Sequence, residues 1–314
     1  MANSAPRAIN DYLEQLRSAL SGEDPALIQD ALYDAEEYLR AEVAAHPQKS
    51  EADVLELIAS TYGAPEEVAD AYRQTEVKLR EAMQTPQRKP ATQRSALGRF
   101  FAIYRDPRAY TSLFFMLLTL ATGIIYFTIT TVGLSLSAGL AILIIGIPFF
   151  LTFIGITRVI SLGEGRLLEA VTGERMPRRP LHPGPRRSLW ARIAEMLRDA
   201  RTWTTILYFL LMLPAGIAYF TIAVTGIAVG ASFVAMPFAL IAQRLGWFGS
   251  GQGIGVFIDG ERVAAIEPSW LDSPLGWLLL LVAGIAVLTL LLHFARAVVR
   301  KHAQVAKALL VTSL

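Results

Sequence analysis

The chain has 314 residues, 53% of them hydrophobic and 18% charged, with no cysteine and a formal net charge of +2. At a mean hydropathy of +0.41, this apolar content exceeds what the core of a water-soluble enzyme buries, and it equally excludes a disordered chain. The missing cysteines exclude disulfides, thiolate nucleophiles and cysteine-held zinc or iron–sulfur sites. What remains is an integral membrane protein carrying some soluble mass.

The small net charge hides a division. Residues 1–90 hold 9 Lys/Arg against 17 Asp/Glu, a charge of −8, while residues 91–314 hold 20 basic against 10 acidic residues, a charge of +10. An acidic head on a basic, apolar body reads as two domains. No direct nucleic-acid contact is expected, because phosphate backbones repel an acidic head.

In the head, Ile9, Tyr12, Leu13, Leu16 and Leu20 recur at helical spacing, and Gly22 follows the last of them. Asp24-Pro25 reads as the cap and first position of a second helix through Leu27, Ile28, Leu32, Leu39 and Val43, stopped by Pro47. Ser50-Glu51-Ala52-Asp53 reads as a capping box opening a third helix with Val54, Leu57 and Ile58. Gly63 ends it, and Pro65-Glu66-Glu67 starts a fourth with acids where the helix dipole favours them. The predicted head covers 1–84, and a Gln/Pro/Arg/Lys-rich linker covers 85–99.

Two readings fit the head's carboxylates. Asp34, Glu36, Glu37 and Glu42 form a solvated face, or Glu36, Glu37, Tyr38, Pro65, Glu66 and Glu67 form a surface for docking a protein. Asp34–Arg40 followed by Tyr62-Gly-Ala-Pro-Glu-Glu-Val-Ala-Asp-Ala-Tyr-Arg73 resembles the bacterial HAAS signalling domain over about 70 residues. The resemblance implies a cytosolic protein partner, with a PadR-like transcription regulator as the functional neighbour.

Beyond the linker, uncharged runs cover Ala109–Thr157, Thr202–Gln243 and Ser273–Ala295. One bilayer crossing needs about 20 apolar residues, so the first two runs each predict a two-span hairpin and the third a single span. The five predicted spans are 110–131, 135–157, 203–224, 227–245 and 275–294, with turns near Val132–Ser135 and Thr225-Gly226. None of them reads as an N-terminal signal peptide, since the residues before them are polar and periodic.

The membrane body, 100–314, contains a repeat. Arg105-Asp106-Pro107-Arg108-Ala109-Tyr110-Thr111 recurs 93 residues later as Arg198-Asp199-Ala200-Arg201-Thr202-Trp203-Thr204. Gly123-Ile-Ile-Tyr-Phe-Thr128 recurs at the same offset as Gly216-Ile-Ala-Tyr-Phe-Thr221, and Gly133 as Gly226. Two hairpins starting from one side make the repeat parallel. The predicted fold class is therefore all-α: a small soluble helical bundle plus a polytopic helical membrane domain with a parallel two-span repeat. Arg105, Arg108, Tyr110, Arg198, Arg201 and Trp203 read as headgroup-level anchors or as a specific lipid or signal contact.

The loop 158–201 holds ten arginines, no lysine and five acids, which places it on the cytoplasmic side. Arg175, Arg178, Arg179, Arg186 and Arg187 either lie on the anionic inner leaflet, at about 1 kcal/mol per basic residue, or meet the acidic head. The Gly-rich loop 246–274 is net negative, favouring the outside, and Val256–Val263 within it reads as a hairpin around Asp259-Gly260. The basic tail (Arg296, Arg300, Lys301, Lys307) favours the inside, whereas five crossings from a cytoplasmic N-terminus put it outside.

Arg-Asp-Pro-Arg-x-Tyr, Gly-x-x-Tyr-Phe-Thr, Gly-Leu-Ser-Leu and Gly-Ile-Pro, with the arginine-rich interlude, resemble a bacterial membrane sensor domain found N-terminal to actinobacterial histidine kinases. The resemblance spans roughly 100–310 and implies a bacterial inner-membrane, multi-pass location and a sensing role. Only Arg296–Leu314 follow the last span, so the expectation is a sensor and not the kinase.

Chemistry has little support. His46, His182, His293 and His302 lack metal-ligand spacing, and Gly249–Gly255 lacks the Gly-Lys-Ser/Thr ending of a P-loop. No carboxylate falls inside a predicted span, and His293 reads as an interfacial residue or an intramembrane titratable group. No catalytic residue, metal or cofactor is expected. The expected function is a non-enzymatic membrane signalling or regulatory protein that senses an envelope or lipid state and relays it through the head. The alternatives are a small permease, a lipid-handling protein or a membrane scaffold subunit.

Overall fold

The computed structural model describes residues 6–83, 96–140, 146–179, 194, 196–247, 255–258, 261–265 and 273–311. Contacts divide it into two units: Met1–Thr92 with Tyr126–Leu211 and Lys301–Leu314, and Gln93–Ile125 with Met212–Arg300.

The first unit contains the acidic head, built from α1 (Ile9–Ala19), α2 (Pro25–Ala45), α3 (Glu51–Ala59) and α4 (Pro65–Met83). Tyr12, Leu16, Leu20, Ala31, Leu32, Ala35, Leu39, Val54 and Ile58 form its buried core. Their spacing of three and four puts each set on one helix stripe. Leu55 enters this core while Leu57 is exposed, a shift of face from the expected third helix.

Local chemistry sets the ends of these helices. The Asp24 carboxylate accepts the Ala26 N–H at 2.9 Å with Pro25 at the first helical position. Ser50 and Asp53 form a reciprocal capping box. Gly63 takes φ +105, a conformation that L side chains rarely adopt, and the Tyr12 hydroxyl donates to its carbonyl at 2.9 Å. The turn before α4 is thus tied to α1.

Four helices among the described residues are long and apolar enough to cross a membrane, where five were expected. They are α6 (Pro107–Leu140), α7 (Gly146–Thr172), α8 (Ala200–Arg244) and α9 (Pro274–Leu310); a short α5 (Ala96–Phe101) and a 3-10 turn (Ala102–Arg105) precede α6. The expected turns at Val132–Ser135 and Thr225-Gly226 lie inside α6 and α8. A helical glycine costs about 1 kcal/mol, whereas each unsatisfied backbone group in hydrocarbon costs several, so the helix continues. These glycines serve packing instead. A Cβ on Gly133 would overlap the Phe153 ring, and one on Gly226 would lie 2.9 Å from Leu291 Cδ1.

In the second unit α8 and α9 pack through small residues. Gly230 lies against Leu288, and a Cβ on Gly284 would come within 2.9 Å of the Gly230 carbonyl. Tyr104 shares a 3.0 Å hydrogen bond with Thr289, and Arg296 pairs with Asp106 at 2.5 Å. Where α6 meets α8, Gly123 faces the Met212 carbonyl and Gly216 faces the Thr119 carbonyl, each at 2.5 Å from a would-be Cβ. As the α6 number rises, the α8 number falls, so the helices run antiparallel here. The all-helical class stands, but the parallel sense expected of the repeat does not describe this crossing.

The strands β1 (Gly255–Ile258) and β2 (Glu261–Ala265) pair antiparallel with an irregularity between Val256 and Phe257. The expected Asp259-Gly260 turn lies outside the described residues.

Candidate functional site

The end of α7, the residues that follow it, the head and Lys307 all belong to the first unit. Helix α7 ends at Gly173 (φ +74), whose N–H bonds the Glu169 carbonyl, and the chain then runs across the head. Met176 buries itself against Gly165. Beside it Arg175, 11% exposed at its side chain, reaches two head helices at once. Its guanidinium donates to Asp30 of α2 at 2.9 Å and to Glu76 of α4.

The other oxygen of Asp30 accepts the backbone N–H groups of Arg178 (2.9 Å) and Arg179 (2.8 Å). Burial pushes the Asp30 carboxyl above the usual range, and these hydrogen bonds and the Arg175 charge pull the other way. Gln29 donates to the Arg179 carbonyl at 2.6 Å and accepts from Arg201 at 3.0 Å. Arg178 pairs with Glu169 at 2.5 Å, Arg179 with Asp34 at 2.9 Å and Lys307 with Asp24 at 2.7 Å.

Of the two expectations for the arginine loop, contact with the head is the one realised for Arg175 and Arg179. Arg186 and Arg187 lie outside the described residues. A buried carboxylate pair around one arginine is not legible in spacing, since Asp30, Glu76 and Arg175 are far apart in the chain. The excess of opposite charge on head and loop is the signal that pointed to it.

The docking residues expected on the head do not form one surface. Glu36 is 1% exposed and accepts from Arg40 of its own helix at 2.7 Å. Tyr38 stacks on Tyr62 at 4.3 Å, and Pro65 is buried. Glu37, Glu66 and Glu67 remain exposed. Glu36 falls on the inner side because it lies one residue from Ala35 and three from Leu39, both core residues.

Of the residues expected as headgroup anchors, Arg105, Arg108, Tyr110, Arg198 and Trp203 are exposed, and Arg201 is half-buried. The two similar segments make matching local bonds. Asp106 accepts the Arg108 N–H and Asp199 the Arg201 N–H, both at 3.0 Å. Tyr110 donates to the Tyr104 carbonyl at 3.1 Å and Trp203 to the Leu197 carbonyl at 2.8 Å.

A second cluster was not foreseen. Glu164, expected in a loop, lies on α7 and is 1% exposed. It accepts from the hydroxyls of Tyr126 (2.9 Å, α6) and Tyr208 (3.1 Å, α8), and Tyr208 shares a 3.0 Å bond with His302 of α9. Each long helix thus supplies one member. This corrects the expectation of no carboxylate within a span: α7 continues fifteen residues past Thr157 and carries Glu164 with it. His293, the histidine singled out from sequence, contacts the Phe100 carbonyl instead. Buried ionisable groups among apolar helices are functional-site candidates. No group of three or more His, Asp or Glu able to hold a metal occurs among the described residues.

Residues 115–310 match the Sensor family, described as "Putative sensor". No curated protein and no solved structure matches the chain.

Proposed function

This chain belongs to the Sensor family, and from that premise we propose that it is a non-enzymatic membrane regulatory protein whose long helices sense an envelope or lipid state and pass it to the acidic head. Four membrane-capable helices make it a multi-pass membrane protein. The observation that carries the relay is the Arg175 bridge to Asp30 and Glu76. Helix α7 bears Glu164 of the buried cluster, and eleven residues later the same chain bears Arg175 on the head. Any shift of α7 that rearranges the Glu164 cluster therefore pulls on the clamp.

The arginine bias of 158–201 supports a cytoplasmic head in a bacterial inner membrane. The Lys307–Asp24 pair supports the same side for the end of α9. The two 93-residue-related segments are read as copies of one unit, and the head as a HAAS-type module. Its cytosolic partner, PadR-like by that resemblance, would meet the exposed Glu37, Glu66 and Glu67.

The test uses the full chain in lipid nanodiscs. Hydrogen exchange in α2 and α4 should rise in R175A and respond to E164Q. If both variants leave the head's exchange unchanged, the relay reading fails.

A second reading, proton-linked transport, is favoured only by the buried Glu164. Proteoliposomes with an internal pH dye should then show a flux that E164Q abolishes.

A further inference from the structure

In the first unit, a cavity of about 50 Å³ lies between α7 and the start of α8. A buried water needs only about 10–15 Å³ by the same measure, so the space exceeds one water. Its polar wall is formed by Arg158, Arg201 and Asp199 with the hydroxyls of Thr157, Ser161 and Thr202. We propose that this cavity binds a phosphate group, supplied either by the headgroup of an anionic phospholipid or by free phosphate.

Four observations carry the assignment. The first is an orphan: Thr202 is 7% exposed, and its Oγ1 is buried with no hydrogen-bond partner. A buried hydroxyl left unsatisfied is costly unless a ligand oxygen completes it. The second is charge. The two guanidinium groups outnumber the one carboxylate, and guanidinium matches phosphate geometry.

The third is slack. Arg158 meets Asp199 only at 3.9 Å, while Asp199 is otherwise engaged in accepting the Arg201 N–H at 3.0 Å. The fourth is depth. Arg158 closes the uncharged run Ala109–Thr157, and Arg201 immediately precedes the run that starts at Thr202. The cavity therefore gathers the polar ends of two apolar runs, where a lipid phosphate sits.

The other copy of the repeat supplies a comparison. At the position of Thr202 it carries Ala109, fully buried, with no hydroxyl to satisfy. At the position of Asp199 it carries Asp106, held at 2.5 Å by Arg296. The copy that lacks the orphan hydroxyl also lacks the slack arginine.

Arg201 also donates to Gln29 of the head at 3.0 Å. A phosphate that draws Arg201 inward competes with that bond, so occupancy loosens head docking. This consequence rests on the proposed relay; the binding itself does not.

Binding is measured on the full chain in nanodiscs of phosphatidylcholine with and without phosphatidic acid, by native mass spectrometry of retained lipid. Inorganic phosphate is titrated into both kinds of nanodisc. Wild type should retain phosphatidic acid or bind phosphate. T202A, which restores the alanine of the other copy, should weaken it about tenfold, the effect of one hydrogen bond to a charged group. R158Q should weaken it at least as much, and R108Q, at the position of Arg201 in the other copy, should not. Retention of phosphatidic acid undisturbed by phosphate identifies the lipid as the source, and displacement by phosphate identifies the free anion.

Wild type that binds neither, or T202A and R158Q that bind like wild type, overturns the proposal. A D24C/K307C crosslink read in the same samples separates the two ideas. An unchanged crosslink with intact, Thr202-dependent binding keeps the site and removes the relay.

Discussion

Gly123 and Gly216 pack against each other's helices in a reciprocal contact, 93 residues apart in sequence. A Cβ on Gly123 would stand 2.5 Å from the Met212 carbonyl, and one on Gly216 the same distance from the Thr119 carbonyl. Met212 is itself the counterpart of Thr119. The obstruction is backbone on both sides and has no flexible end to swing away. G123A and G216A should each lower the stability of the detergent-solubilised protein by about 1–3 kcal/mol, read as a lower melting temperature. Adding alanine at Gly139, which has open space around it, should have a much smaller effect.

Removing Arg175 leaves Asp30 and Glu76 buried without their shared cation. R175A should weaken head docking by about 3–5 kcal/mol, the usual effect of breaking one side of a buried pair. Limited proteolysis of the full chain should then cut the head faster than in wild type. The combination R175M/D30N/E76Q removes all three charges and should recover most of the loss.

The Glu164 cluster predicts non-additivity. Y126F and Y208F each delete one donor to the same carboxylate and should each cost about 1–3 kcal/mol. E164L removes the acceptor that both hydroxyls share and leaves that of Tyr126 unsatisfied, so Y126F made in that background should cost little or even recover stability. A double-mutant cycle by thermal unfolding measures the coupling. Additive effects would mean that the hydrogen bonds to Glu164 contribute nothing.

The head should unfold in alkali through its tyrosines. Burial, with Asp34 and Tyr38 nearby, pushes the Tyr62 hydroxyl up to about 12, and burial raises Tyr12 and Tyr72 as well. A phenol whose folded value is raised contributes stability that is fully present below the ordinary value near 10. That contribution is lost as pH rises through the folded value. Tyrosinate absorbance should therefore appear late, together with loss of helical signal between about pH 10 and 12, and Y62F should shift the transition upward.

The chain's lack of cysteine permits a direct test of sidedness. The Lys307–Asp24 contact places the end of α9 beside the head. Cysteines at Ser60 and Lys301, both exposed, should label from the same side of a sealed vesicle with an impermeant maleimide. Labelling from opposite sides would remove that contact and the clamp with it.

Residues near one another in the chain announced themselves well. Asp24-Pro25 and Ser50 with Asp53 mark helix ends by hydrogen bonds that close within three residues, and Gly63 marks one by a positive φ that favours glycine, so their chemistry is visible locally. Apolar periodicity likewise reports which stripe of a head helix turns inward, although Leu55 in place of Leu57 shows that a one-residue choice of face belongs to the packing. Glycine is ambiguous in sequence, because the same missing Cβ that permits a turn also permits helices to touch. Gly133 and Gly226 do the second, and only the neighbours Phe153 and Leu291 reveal it.

Composition and its distribution along the chain made this a membrane protein with an acidic head and a basic body, because transfer of apolar and charged groups between water and hydrocarbon depends on residue type and not on tertiary neighbours. Tertiary structure decided which charges meet. Asp30, Glu76 and Arg175 are spread along the chain, and Tyr126, Glu164, Tyr208 and His302 come from four helices. Such contacts need groups brought within hydrogen-bond distance across long loops. No local spacing encodes that closure, and the burial that makes these groups consequential exists only once the helices have packed.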